Sequence, residues 1–151
     1  MAGSVKVRDA SALLSEVYRN VRMAEESIID LMPKVTEERL KSMLTVQISA
    51  YSAFSSRAAK QLAEAGVKPE EENAAAKLGA KWGILMNTLR DSTQEHLVQM
   101  LIEGTTMGVG ELLRVIRDAQ NNGIGGEPLR LASDLLSYEE QVVEEMKGYL
   151  R

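Results

Sequence analysis

A chain of 151 residues with no cysteine, 4% aromatic residues and a net charge of −4 excludes several functions at once. Disulfides, thiolate metal sites and cysteine nucleophiles are ruled out, and the interspersed charges form no basic surface of the kind nucleic acid needs. No stretch approaches the roughly 20 apolar residues of a membrane span. Eight methionines, three prolines and few aromatics favour an all-α protein. The N-terminal MAGSVKVRDA carries no secretory apolar run, so the reading is one cytoplasmic domain spanning residues 1–151.

The first helix is expected from an Asp9 cap to Pro33, with Leu14, Val17, Val21, Ala24, Ile28 and Leu31 along one face. Thr36 is expected to cap a second helix that ends at Gly66, with the stripe Leu40, Leu44, Gln47, Tyr51, Phe54, Ala58 and Leu62. Pro69 opens a shorter segment in which Leu78, Trp82, Leu85 and Leu89 share a face. DSTQEH then contains two overlapping capping boxes, Asp91 with Gln94 and Ser92 with Glu95. The third long helix carries Leu97, Leu101, Gly104, Gly108, Leu112, Val115 and Ala119 inward. NNGIGG ends it, and Pro128 suits the first turn of a last helix striped by Ala132, Leu135, Glu139, Val142, Met146 and Tyr149.

Short links make the first two long helices one antiparallel hairpin and the last two another. The connection at about residues 66–91 is long enough to return the chain along the bundle and to hold a short helix. Two hairpins joined by such a crossover are the ferritin-like variant of the four-helix bundle. At about 1.5 Å per residue, Gln47, Thr105 and Glu139 then fall at nearly one height, with Glu25 about a turn away. Tyr51 and Tyr138 are near enough to join this polar layer.

EGTTMGVGELL places Gly104, Gly108 and Gly110 inside a helix, each at a cost of about 0.8–1 kcal/mol relative to alanine. The reading adopted is close packing at Gly104 and Gly108, with Tyr51 or Tyr138 filling the space; a ligand cavity is the alternative. A phosphate loop is excluded, because no strand precedes the glycines and no lysine follows them.

The helices, the link lengths and the Trp82-bearing crossover resemble the ferritin-like, di-metal carboxylate superfamily, especially its small bacterial domains of unknown function. VRMAEESI is similar to the carboxylate-bearing first helix of that group, and RLKSMLTVQISAYSAF sits where its second helix would. The resemblance implies a metal box with two Glu-x-x-His motifs. This chain has no Glu-x-x-His, and its single histidine, His96, lies near a helix start. Glu25 and Glu139 remain as metal candidates, beside Gln47 and Thr105, for one weakly held divalent cation on oxygen ligands. Arg22 is read as lying on the wrong side to partner Glu25.

The expectation is therefore a non-catalytic bundle without a cofactor, serving a structural or protein-interaction role. No nucleophile–base pair argues for an enzyme. Excess apolar residues at Val98, Met100, Ile102, Leu136 and Val143 suggest a homo-oligomer. The alternatives are a metal-storing ferritin relative and a binder of a small ligand in space left by the glycines.

Overall fold

The computed structural model describes residues 7–69 and 93–151. They form four long helices with no strand among them: α1 (Ala10–Leu31), α2 (Glu38–Glu64), α3 (Gln94–Asn121) and α4 (Gly126–Leu150). The expected short helix around Trp82 lies outside the described residues.

Asp9 caps α1 as its sequence requires: its backbone is extended and its carboxylate accepts the Ala12 N–H at 2.8 Å. Pro33 does not end the helical path outright. It sits in a 3-10 turn, Met32–Lys34, that completes the corner. Thr36 is not the cap of α2; Glu37 occupies that position, and its side chain makes no capping bond. The reason comes from another helix. Gln94, in the first turn of α3, accepts the Thr36 and Glu37 N–H groups at 3.0 and 3.2 Å through its Oε1, and donates from Nε2 to the Lys34 carbonyl at 3.3 Å. Thr93 caps α3, its hydroxyl accepting the His96 N–H at 3.3 Å; Asp91 and Ser92 lie outside the described residues.

Two C-termini close alike. Gly66 and Gly123 hold φ of +74° and +73°, and the residues after them, Val67 and Ile124, donate back to Leu62 and Ala119 at 2.9 Å. This 6→1 bond past a left-handed glycine is the Schellman closure. A side chain with a Cβ is strained at both glycines.

The polar contacts between helices fix their directions. The start of α1 meets the end of α3 through Val7 and Asp118 (2.6 Å), and its end meets the start of α3 through Gln94. Arg39 near the start of α2 reaches the end of α4 at the Tyr149 carbonyl, and Arg57 further along pairs with Asp134 at 2.9 Å. Consequently α1 is antiparallel to α2 and α3, α2 is antiparallel to α4, and α2 and α3 run the same way. The last helix also packs across the bundle against α1.

The core follows the expected stripes, with Leu13, Tyr18, Val98, Ile116 and Leu131 added. Val98 is fully buried, while Met100, Ile102 and Leu136 pack partly buried against the core. Most of the apolar excess that suggested a second copy is thus used within the chain. No helix among the described residues is long and apolar enough to cross a membrane.

Candidate functional site

Along α3 the buried residues stop at Leu101 and resume at Leu112. Three turns in the middle of the helix contribute nothing fully buried, and these turns hold Gly104, Thr105, Gly108 and Gly110. Without long side chains there, α3 leaves a cleft of about 890 Å³ against α1, a volume within the usual range of small-molecule sites. Its walls are mainly apolar, with Ile28, Leu101, Leu112, Val115 and Met146 among them. Met107, 75% exposed, stands at its edge.

Gly104 corrects the close-packing expectation. A Cβ built there meets nothing within 4 Å, so the missing side chain opens space instead of admitting a neighbour. Gly108 behaves differently. Its Cβ would lie 3.3 Å from Glu139 Oε1 and 3.5 Å from Asn20 Nδ2. The group seated close over Gly108 is therefore the Glu139 carboxylate with the Asn20 amide, not a tyrosine ring. Asn20 Nδ2 also donates to the Gly108 carbonyl at 3.1 Å, which ties α1 to α3 at this level.

Glu139 is 1% exposed on the inward face of α4. One carboxylate oxygen, Oε2, accepts the Tyr51 hydroxyl at 3.2 Å, long for an O–H···O bond; the other, Oε1, has no partner. Burial raises its pKa to about 8, and the Tyr51 hydrogen bond only partly offsets this. Tyr51 is itself pushed far up, first by burial and then by the Glu139 charge, so it remains a donor. Its ring meets Tyr138 edge-on, with centroids 5.4 Å apart. Gln47 is buried about a turn along α2; its Nε2 donates to Glu145 at 2.9 Å while its Oε1 is unpaired. Asn20 Oδ1 is a third unpaired, buried acceptor. An oxygen that has lost water and gained no partner costs roughly 1–3 kcal/mol.

Six residues singled out from the sequence line this one cleft: Gln47, Tyr51, Gly104, Thr105, Gly108 and Glu139. Tyr138 stands behind it, half-buried against Tyr51 and Phe54. Glu25 is buried but does not line it. Its Oε1 accepts from Arg22 at 2.8 Å, and Arg22 also holds Glu26 at 3.1 Å. This corrects the reading of Arg22: a residue three positions earlier on a helix shares a face with Glu25. No group of three or more His, Cys, Asp or Glu among the described residues is placed to hold a metal. Asn20 was not foreseen. It lies off the apolar stripe and belongs to no motif.

At the mouth of the cleft, Glu16 pairs with Arg19 at 2.9 Å on α1, and Glu111 with Arg114 at 3.0 Å on α3. Glu139 is the buried carboxyl among the residues that line the cleft. No protein-family model matches the chain, and no curated protein or solved structure is significantly similar to it.

Proposed function

We propose that the chain is a non-catalytic, ferritin-like bundle that binds a small, mainly apolar molecule in the cleft between α1 and α3. The shared direction of α2 and α3 supports the ferritin-like order, in which the second and third helices run parallel. The observation that carries the binding function is the gap in α3: no residue between Leu101 and Leu112 is buried, and about 890 Å³ of mainly apolar-walled space lies over it. A helix that serves only to pack would bury a side chain on each of those turns. The metal-storing alternative has less support, because Glu25, one of its two carboxylates, pairs with Arg22 and does not line the cleft.

The test uses the neutral, environment-sensitive fluorophore N-phenyl-1-naphthylamine and the variant Gly104→Leu. Open space around Gly104 accepts the Cβ without backbone shift, so the variant should fold while its side chain fills the cleft. The expected result is saturable fluorescence enhancement with the wild-type chain and its loss in Gly104→Leu. Equal binding to both proteins, or to neither, overturns the proposal.

A further inference from the structure

The cleft is apolar along most of its length and polar at one place. Over Gly108, the carboxylate of Glu139 and the amide of Asn20 approach the same missing Cβ, and each keeps a buried oxygen without a donor. Gln47 adds a third unpaired oxygen to the lining about a turn away. With Glu139 ionised, three acceptors without donors and one negative charge define what a ligand must bring. A carboxylate or phosphate head brings only more acceptors and negative charge. A hydroxyl brings one proton to donate. An ammonium brings three N–H donors and a positive charge, so it meets both requirements of the site.

We propose that the cleft selects a primary amine in its ammonium form, on an apolar body, its nitrogen taken up by the Glu139 carboxylate together with the Asn20 and Gln47 amide oxygens, which turn out of their buried positions to meet it. This deepens the small-molecule reading above and rests on it. Glycine at 108 has a defined part in the arrangement, since any Cβ there presses on the carboxylate that receives the nitrogen.

Binding has a proton balance that can be measured. In the free protein Glu139 holds its proton up to about pH 8, whereas an alkylamine stays protonated to about pH 10. Seating the ammonium favours the carboxylate, so below pH 8 the Glu139 proton passes to water as the complex forms. Affinity should therefore rise about tenfold per pH unit up to pH 8 and then level. The other charged and titratable groups around the cleft are placed as follows. Tyr51 on α2 stays protonated, Glu16–Arg19 on α1 and Glu111–Arg114 on α3 are ion pairs at the mouth, and Glu145 on α4 accepts from Gln47.

The experiment titrates the full chain with n-octylamine, octan-1-ol and octanoate, three ligands with one chain and different heads. Binding is read by calorimetry and by displacement of N-phenyl-1-naphthylamine, in the wild type, Glu139→Gln and Asn20→Ala. The amine should bind about ten- to a hundredfold more tightly than the alcohol, as expected for a charge-assisted contact, and octanoate more weakly than either. Glu139→Gln should abolish that preference and the pH slope, and Asn20→Ala should weaken the amine several-fold. If the fluorophore binds but alcohol or octanoate equals the amine, or Glu139→Gln leaves the preference intact, the amine assignment is wrong and the cleft reading survives. Should neither the fluorophore nor any octyl ligand bind, both fall. If Glu139→Gln does not fold, the wild-type head-group order and Asn20→Ala decide the matter by the same criteria.

Discussion

Glu139 is the residue at which stability and binding meet. In the unfolded chain its carboxyl loses its proton near pH 4.5, while in the folded chain it keeps it to about pH 8. Between those values the folded state carries one more proton than the unfolded state, so stability falls as pH rises, by up to about 1.4 kcal/mol per unit from this group. Urea midpoints measured at pH 5 and pH 8 should show the wild type weaker at pH 8. Glu139→Gln keeps an acceptor for Tyr51 and cannot ionise, so its midpoint should change far less. At pH 8 the variant should be the more stable protein, by on the order of 2–4 kcal/mol. A wild-type midpoint no lower at pH 8 than at pH 5 would show that burial does not hold this proton. Glu139, Gln47 and Tyr51 were legible because they interrupt apolar stripes, where a polar side chain must turn inward. Asn20 was not, because a polar residue between Arg19 and Val21 looks like solvated surface until the opposing helix is known to present a glycine.

At the scale of single helices the capping signals read well where they act within a few residues. Asp9, Gly66 and Gly123 all close their helices as their chemistry requires. The expected Thr36 cap fails because the N–H groups just before the second helix, those of Thr36 and Glu37, are held by residue 94, beyond any local rule. The glycines of α3 are a subtler case. An inward small residue every turn serves a close approach and a gap equally well, and only the reach of the opposing side chains decides between them. That reach differs at Gly104 and Gly108, and so should the two alanine variants. Gly104→Ala adds a Cβ in open space and should raise stability by about 0.5–1 kcal/mol, the gain of helix propensity alone. Gly108→Ala places its Cβ 3.3 Å from Glu139 Oε1, so the carboxylate must give way and most of that gain should be lost. Thermal unfolding of the two variants compared at pH 5, where Glu139 is neutral, measures the difference. Equal gains would mean that Gly108 and Glu139 do not press on each other.

For the molecule as a whole, link lengths made the α1–α2 and α3–α4 hairpins legible, but nothing local in the sequence marks how the hairpins are tied together. Those ties sit at the ends. At one end Gln94 clamps the α1–α2 corner. At the other, Asp118 accepts the Val7 N–H and the Asn122 amide donates to the Val7 carbonyl at 2.8 Å. A helix of this length puts the two clamps about 36 Å apart, with the cleft between them. Packing normally collapses around missing side chains; a helix held at both ends is less free to do so. Gln94→Ala and Asp118→Ala each leave backbone groups without partners and should each cost about 1–2 kcal/mol. At that separation the costs should add to within about 0.5 kcal/mol in the double variant. Fluorophore binding supplies the sharper readout. If the end clamps hold the cleft open, releasing both lets α3 settle toward α1, and the double variant should bind N-phenyl-1-naphthylamine more weakly than either single variant while its helix content is unchanged. Undiminished binding in a folded double variant would place the cause of the opening in the middle of α3 alone, in its glycines and in the Asn20 bridge to Gly108.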